Sequence, residues 1–209
     1  MNPSPHTNAP LSEILSELEK VRSESFETAT PIPSAVHHSR AFLEHELQSV
    51  FTKDWICIGR EDELPNHGDY LTHEIASVPV MAVRQADGQI RGFINACAHR
   101  FACLLPDKQG SAKRFTCRYH AWTYHCDGAL FRAPAMEMKP GFDISQHKLK
   151  SIACDTWEGF VYLSLEENPE PIAPRLKPLT DNVVGRYGMA CYKTAFRESM
   201  IWNANWKNL

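Results

Sequence analysis

The sequence predicts a mainly β protein, α+β overall: an antiparallel β module preceded by helices and followed by the start of a second α+β domain. Three observations carry this. Apolar residues recur at helical spacing near the N-terminus. After Asp54 the pattern changes to short runs rich in β-formers, separated by turn residues. A Pro-rich stretch over residues 167–174 then sets off a further, partly helical region.

Residues 1–10 are polar and Pro-rich and read as a mobile arm. Leu11, Ile14, Leu15, Leu18 and Val21 fall on one helical face, so a helix is predicted over residues 11–23, starting near Pro10. Pro31 and Pro33 force extended backbone after it. Ser39 is placed to cap a second helix over residues 39–53, with Phe42, Leu43, Leu47, Val50 and Phe51 as its apolar face. Strands are predicted at residues 55–59, 69–75, 78–84, 89–95, 149–154 and 160–165. Asp87-Gly88 and Asp127-Gly128 are hairpin turns, because the φ > 0 turn of a tight hairpin favours Gly after Asp. Beyond the linker come a short helix over residues 179–187 and a long strand over residues 192–202, its apolar residues at even positions. The domain reading is therefore 1–53 for the arm and helices, 54–166 for the β module, 167–178 for the linker and 179–209 for the beginning of another domain.

The chain has 209 residues, 43% hydrophobic and 22% charged, enough apolar surface for a core without disulfides. A net charge of −3 gives no reason to expect a nucleic-acid partner. No window approaches the roughly 18 uncharged apolar residues of a membrane span. The first residues have neither the basic nor the apolar part of a secretory signal. Seven scattered cysteines, an odd number, do not form a secreted disulfide framework and predict a reducing, cytoplasmic setting.

One constellation carries chemistry. Cys97-Ala98-His99 and Cys117-Arg118-Tyr119-His120 give C-x-H and C-x-x-H separated by seventeen residues, each pair just after a strand. Two thiolates and two imidazoles suit an asymmetric [2Fe–2S] cluster, cysteines on one iron and histidines on the other. Zinc also takes Cys₂His₂ ligation, but its usual spacings pair like with like. Cys57, Cys126, Cys154 and Cys191 read as ordinary thiols, and His37 and His38 as surface or interface residues near a helix start. His125 lies in the hairpin but outside the ligand spacing.

The stretch Phe93-Ile94-Asn95-Ala96-Cys97-Ala98-His99-Arg100 is followed by Cys117-Arg118-Tyr119-His120-Ala121-Trp122-Thr123-Tyr124, Asp127-Gly128-Ala129-Leu130 and Ala133-Pro134. It resembles the Rieske domain of ring-hydroxylating oxygenases, in their large (alpha) terminal-oxygenase subunits, a group that includes choline- and carnitine-oxygenase-like enzymes. The resemblance implies Cys97, His99, Cys117 and His120 as cluster ligands, the cysteines on the buried iron and the histidines on the iron nearer the surface. It places Arg100, Tyr119, Trp122 and Tyr124 around them, Trp122 as a cover and Arg100 as a local charge. Respiratory Rieske proteins add a disulfide and a serine, whose positions here hold Ala102, Tyr119 and Trp122, and Cys103 lies one residue too late. Fewer such supports imply the lower end of the Rieske potential range. The family usually has glycine where this chain has Phe101 and Ala121, so a φ > 0 requirement would strain both loops.

The resemblance further implies an NAD(P)H-fed reductase or ferredoxin as electron donor, identical subunits in a trimer, and a small-molecule substrate, aromatic or quaternary amine. Asn205-Trp206-Lys207 leads, in the family, into a catalytic domain holding mononuclear Fe(II) on two histidines and a carboxylate. That iron belongs to the intact enzyme only, so no catalytic residue is expected in this chain, and oxygenation by it alone is not expected. A stand-alone Rieske-type electron carrier and a structural zinc module are the alternatives. If the ligand imidazoles donate their free N–H groups, the midpoint potential falls as pH rises over an alkaline range.

Overall fold

The computed structural model describes residues 9–136 and 138–208. The chain divides into two compact units, Met1–Val50 with Glu198–Leu209, and Phe51–Arg197.

The first unit is helical. Helix α1 (Leu11–Ser23) begins at Pro10, whose missing N–H costs nothing at a helix start. The second helix is shorter than its apolar pattern suggests. It is α3 (Arg40–Glu46), continuing as a wider π turn over Leu47–Phe51, and a short α2 (Ala35–His38) precedes it. Ser39 caps α3 as expected, its hydroxyl accepting the Phe42 N–H at 3.3 Å. Ile14, Ala35, Val36 and Phe42 form the core of this unit. Leu43 and Val50 of the expected apolar face are exposed. Asn205-Trp206-Lys207 packs here too: Lys207 Nζ lies 2.8 Å from both oxygens of the buried Glu46, and Trp206 Nε1–H donates to the same carboxylate at 3.3 Å.

The second unit is antiparallel β. Its strands are β1 (Ile56–Arg60), β2 (Asp69–Ile75), β3 (Val78–Arg84), β4 (Ile90–Ile94), β5 (Gln109–Ser111), β6 (Phe115–Thr116), β7 (Thr123–Tyr124), β8 (Leu130–Arg132), β9 (Ser151–Trp157) and β10 (Phe160–Ser164). Seven of them pair in the order β1-β10-β9-β4-β3-β2-β5, and β6-β7-β8 make a second, small sheet. Successive side chains of a strand point to opposite faces, and β3 uses both. Val80 and Ala82 enter a core with Ile58, Leu71 and Leu163, while Met81 and Val83 enter another with Phe93, Phe115, Trp122 and Tyr124. The second core contains Cys97 and Cys117.

Both Asp-Gly turns are hairpins, with Gly88 at φ +82° and Gly128 at φ +86°. A Cβ on Gly128 would stand 2.7 Å from Phe93 Cε1, so the small sheet lies tight on the large one there; a Cβ on Gly88 would meet nothing.

Two further expectations differ from the structure. The helix placed at residues 179–187 is α4 (Ile172–Asn182), which begins inside the Pro-rich stretch. Pro174 falls in its first turn, where no backbone donor is needed, and only Pro178 interrupts the ladder. Residues 192–202 are not a strand. Their backbone finds no neighbouring strand to pair with, and Thr194 N–H donates instead to Asp62 Oδ2 at 2.7 Å. The short strands β5 to β8 carry too few residues to show a period. Among the described residues no helix is long and apolar enough to cross a membrane.

Candidate metal centre

Two loops hold the four candidate ligands, and they fold alike. In the first (residues 97–102), Cys97 N–H donates to Ala102 O at 2.9 Å and Phe101 N–H donates to Cys97 O at 2.8 Å. In the second (residues 117–122), Cys117 N–H donates to Trp122 O at 2.8 Å and Ala121 N–H donates to Cys117 O at 2.9 Å. Each turn closes through a left-handed residue at its fifth position, Phe101 at φ +57° and Ala121 at φ +56°. Both positions that the sequence marks as glycine substitutes therefore adopt the conformation that favours glycine, at a cost of about 1–2 kcal/mol each.

The frame around the loops is rigid. Asn95, buried at the end of β4, closes the first loop: its amide donates to Leu105 O at 2.7 Å and accepts Leu105 N–H at 3.0 Å. β6 runs directly into Cys117 and β7 leaves from Trp122, so a two-stranded ladder clamps the second loop at its base.

The donors separate by chemistry. The thiols of Cys97 and Cys117 are 1% and 3% exposed, and none of the seven cysteines is in a disulfide. The His99 and His120 rings are half-buried beside each other, centroids 4.7 Å apart and planes at 65°. Burial pushes the Cys97 thiol above its ordinary pKa, and the neighbouring Cys117 adds to this. Burial lowers His99, with the charges of His120 and Arg100 acting the same way. His120 Nδ1 is buried with no hydrogen-bond partner, an acceptor lone pair for which a coordinated iron would be the natural occupant.

Among the described residues no three His, Cys, Asp or Glu side chains gather closely enough to share one ion. A tetrahedral zinc needs four donors converging on one point, whereas a two-iron cluster takes two donors on each iron. Paired buried thiols and paired imidazoles fit the second demand. The residues present thus fit a [2Fe–2S] cluster.

The four flanking residues divide in two. Tyr124 is buried and its hydroxyl accepts Ala98 N–H at 3.0 Å, which leaves its own hydrogen free for Cys97 Sγ at 3.2 Å. Burial, then the Cys97 sulfur, pushes the Tyr124 hydroxyl far above its ordinary pKa, so it stays a donor. Trp122 is buried and lies flat on His99, 4.7 Å between centroids and 10° between planes. Tyr119 and Arg100 are exposed; the Tyr119 ring lies 3.8 Å from that of His120. Sequence reasoning missed His147 and Phe142, whose rings meet Trp122 at 5.5 and 5.9 Å. They lie too far along the chain for any spacing signal. His125 packs on Phe131, away from the ligand pairs, at 5.0 Å. Cys154 is held protonated by burial, its pKa pushed up to about 12, and burial also raises Cys57 and Cys126.

Comparison with known proteins agrees. Residues 54–152 match the Rieske [2Fe-2S] domain. The chain is 35% identical over 176 residues to the glycine betaine monooxygenase oxygenase subunit of Pseudomonas aeruginosa, covering 84% of this chain and 41% of that protein. It is 33% identical over 186 residues to the carnitine monooxygenase oxygenase subunit of Escherichia coli, covering 87% of this chain and 49% of that one. A crystal structure of the quaternary ammonium Rieske monooxygenase CntA superposes with a TM-score of 0.77 at 30% identity, over 84% of this chain and 49% of that chain. The chain thus spans less than half the length of the relatives it matches. The domain match, the relatives and the paired loops lead to one assignment: residues 54–152 form a Rieske [2Fe–2S] domain, similar to that of oxygenase subunits.

Proposed function

We propose that this chain moves single electrons through a [2Fe–2S] cluster held by Cys97, His99, Cys117 and His120, as the Rieske portion of a non-haem iron oxygenase. The observation that carries the reading is the pair of matching loops, which sets two buried thiols beneath two neighbouring imidazoles. When bound, the cluster supplies a one-electron couple at a potential that imidazole ligation raises above an all-cysteine site. The chain's own residues do the rest. Cys97 and Cys117 bind as thiolates, and Cys97 gives up a proton that burial otherwise favours. Tyr124 gives its O–H to the Cys97 sulfur, and Trp122 excludes water from one face of His99. The outer ring nitrogens of His99 and His120 are the outlet, each able to hand a proton or a hydrogen bond to an acid beyond this chain.

Residues 54–166 act in this reading as the electron-transfer module, residues 167–178 as a linker, and residues 179–209 as the beginning of a catalytic domain. A reductase or ferredoxin feeds the centre. The oxygenating iron, a trimer of identical subunits and the aromatic or quaternary-amine substrate belong to the intact oxygenase. Seven free cysteines fit a reducing cytoplasm.

The test is an EPR spectrum of the anaerobically reduced protein, with iron and sulfide counted on the same sample. A rhombic signal of low average g with two irons and two sulfides is the expected result. Zinc, no sulfide and no signal would overturn it.

A further inference from the structure

Trp122, which lies flat on His99, is itself held by two further rings. Phe142 and His147 meet the indole edge-on, at 5.9 and 5.5 Å between centroids and 69° and 76° between planes. They stack on each other, 4.8 Å between centroids and 11° between planes. Trp122 is buried, and its two partners are half-buried. Among the described residues, the rings against His120 are those of His99 and the exposed Tyr119.

A short turn brings Phe142 and His147 together. Between them lies a single 3-10 turn, Ile144–Gln146. Asp143 opens it: Oδ1 accepts the Ser145 N–H at 2.9 Å and the Ser145 hydroxyl at 2.7 Å, and Oδ2 accepts the Gln146 amide at 3.3 Å. His147 N–H closes it, donating to Ile144 O at 3.2 Å. Residues 143–146 are exposed, and the turn meets the core through the rings at its two ends. Two residues on, Leu149 is buried and its N–H donates to Gly128 O at 2.9 Å, which ties the segment to the hairpin beyond the second ligand loop.

The torsion that swings a Trp or His ring has broad minima, so neighbouring groups set where these planes lie. Stacking alone leaves an indole able to slide in its own plane over the imidazole. Edge-to-face contact sets a ring's positive edge against another's negative face, and it fixes orientation as well as distance. Two such contacts at once block the slide.

We propose that Phe142 and His147 are positioning residues for His99. They act through Trp122, pinning the indole against the candidate ligand ring, and His147 does so as a flat ring rather than as a base. The proposal rests on the reading of His99 as a cluster ligand. What the three rings fix is the tilt of that imidazole, and the groups around a ligating histidine govern how it faces its metal.

Pulsed EPR of the reduced, cluster-loaded chain tests this, because it resolves the nitrogen couplings of the two ligand histidines. Trp122→Leu marks the coupling that belongs to His99. Phe142→Leu and His147→Leu keep apolar bulk and remove the flat ring. Each is expected to broaden that same coupling, to leave the other natural, and to speed loss of the cluster's visible absorbance to excess EDTA about threefold, less than the loss of a ligand's direct hydrogen-bond partner costs. His147→Phe, which restores a ring without a titratable nitrogen, should return both readouts to those of the natural chain. Leu163→Ala, in the other core of the β unit, is the stability control: it lowers the unfolding midpoint and leaves both couplings unchanged. Natural couplings in both leucine variants, broadening of the other or of both couplings, the same broadening in Leu163→Ala, or failure of His147→Phe to rescue overturns the proposal. A natural chain that gives no Rieske EPR signal removes instead the reading of His99 beneath it, before any variant is compared.

Discussion

The two ligand loops share a backbone and differ in what supports their side chains. Residues 97–102 and 117–122 close with the same two hydrogen bonds and the same left-handed residue. Yet the first loop borrows its supports from the second segment: Trp122 covers His99, and Tyr124 reaches Cys97 and Ala98. The second loop gives these residues and receives little, since besides the His99 ring it is the exposed Tyr119 of the same loop that lies against His120. Similar turns set the spacing of the donors. Unequal support sets how firmly each donor is held.

The largest expected effect treats the loops as equals. His99→Ala and His120→Ala should each abolish the Rieske EPR signal, because a cluster with one iron under-ligated does not survive. Retention of the natural spectrum in either variant would remove that histidine from the ligand set.

Trp122→Leu should separate them. The loss of a buried indole costs about 2–4 kcal/mol of stability, read as a lower unfolding midpoint. Pulsed EPR should show the nitrogen coupling of one histidine broadened and the other unchanged. Equal broadening of both would mean that the indole braces the centre as a whole rather than His99.

Tyr124→Phe is smaller and electronic. Removing an O–H that favours the reduced, more negative centre should lower the midpoint potential by on the order of 50 mV, one charge-assisted hydrogen bond converted for a one-electron couple. An unchanged potential in redox titration would show that the hydroxyl hydrogen points elsewhere. The smallest effect returns to symmetry. Phe101→Gly and Ala121→Gly should each stabilise the fold by about 0.5–1 kcal/mol, the left-handed cost relieved less the extra freedom of an unfolded glycine. A gain in only one loop, measured by chemical denaturation, would show that the backbones are not equivalent.

What could be read from the sequence was local. β2 and β3 have the expected bounds because runs of β-formers lie between turn residues, and both Asp-Gly hairpins follow from two-residue chemistry. The candidate ligand pairs are legible as a pattern because each lies within four residues. Contacts set by the fold were not legible. Phe142 and His147 reach Trp122 across β7, β8 and the segment that follows, and no spacing encodes that approach. The start of α4 is hidden in the sequence because its prolines look like a linker, although Pro174 falls where a helix tolerates proline. The alternation of residues 192–202 was real as a pattern, but a strand also needs a neighbour for its hydrogen bonds, and sequence cannot supply one.

The two Asp-Gly hairpins carry a consequence for substitution tolerance. At Gly88 the only demand is a positive φ, which asparagine also meets, so a mutational scan should find Asn there among functional variants. At Gly128 the same turn also lies against Phe93, and any side chain would collide with the ring. Two identical dipeptides in one chain thus differ in evolutionary freedom: one can drift, and the other is fixed by the aromatic ring packed beneath it.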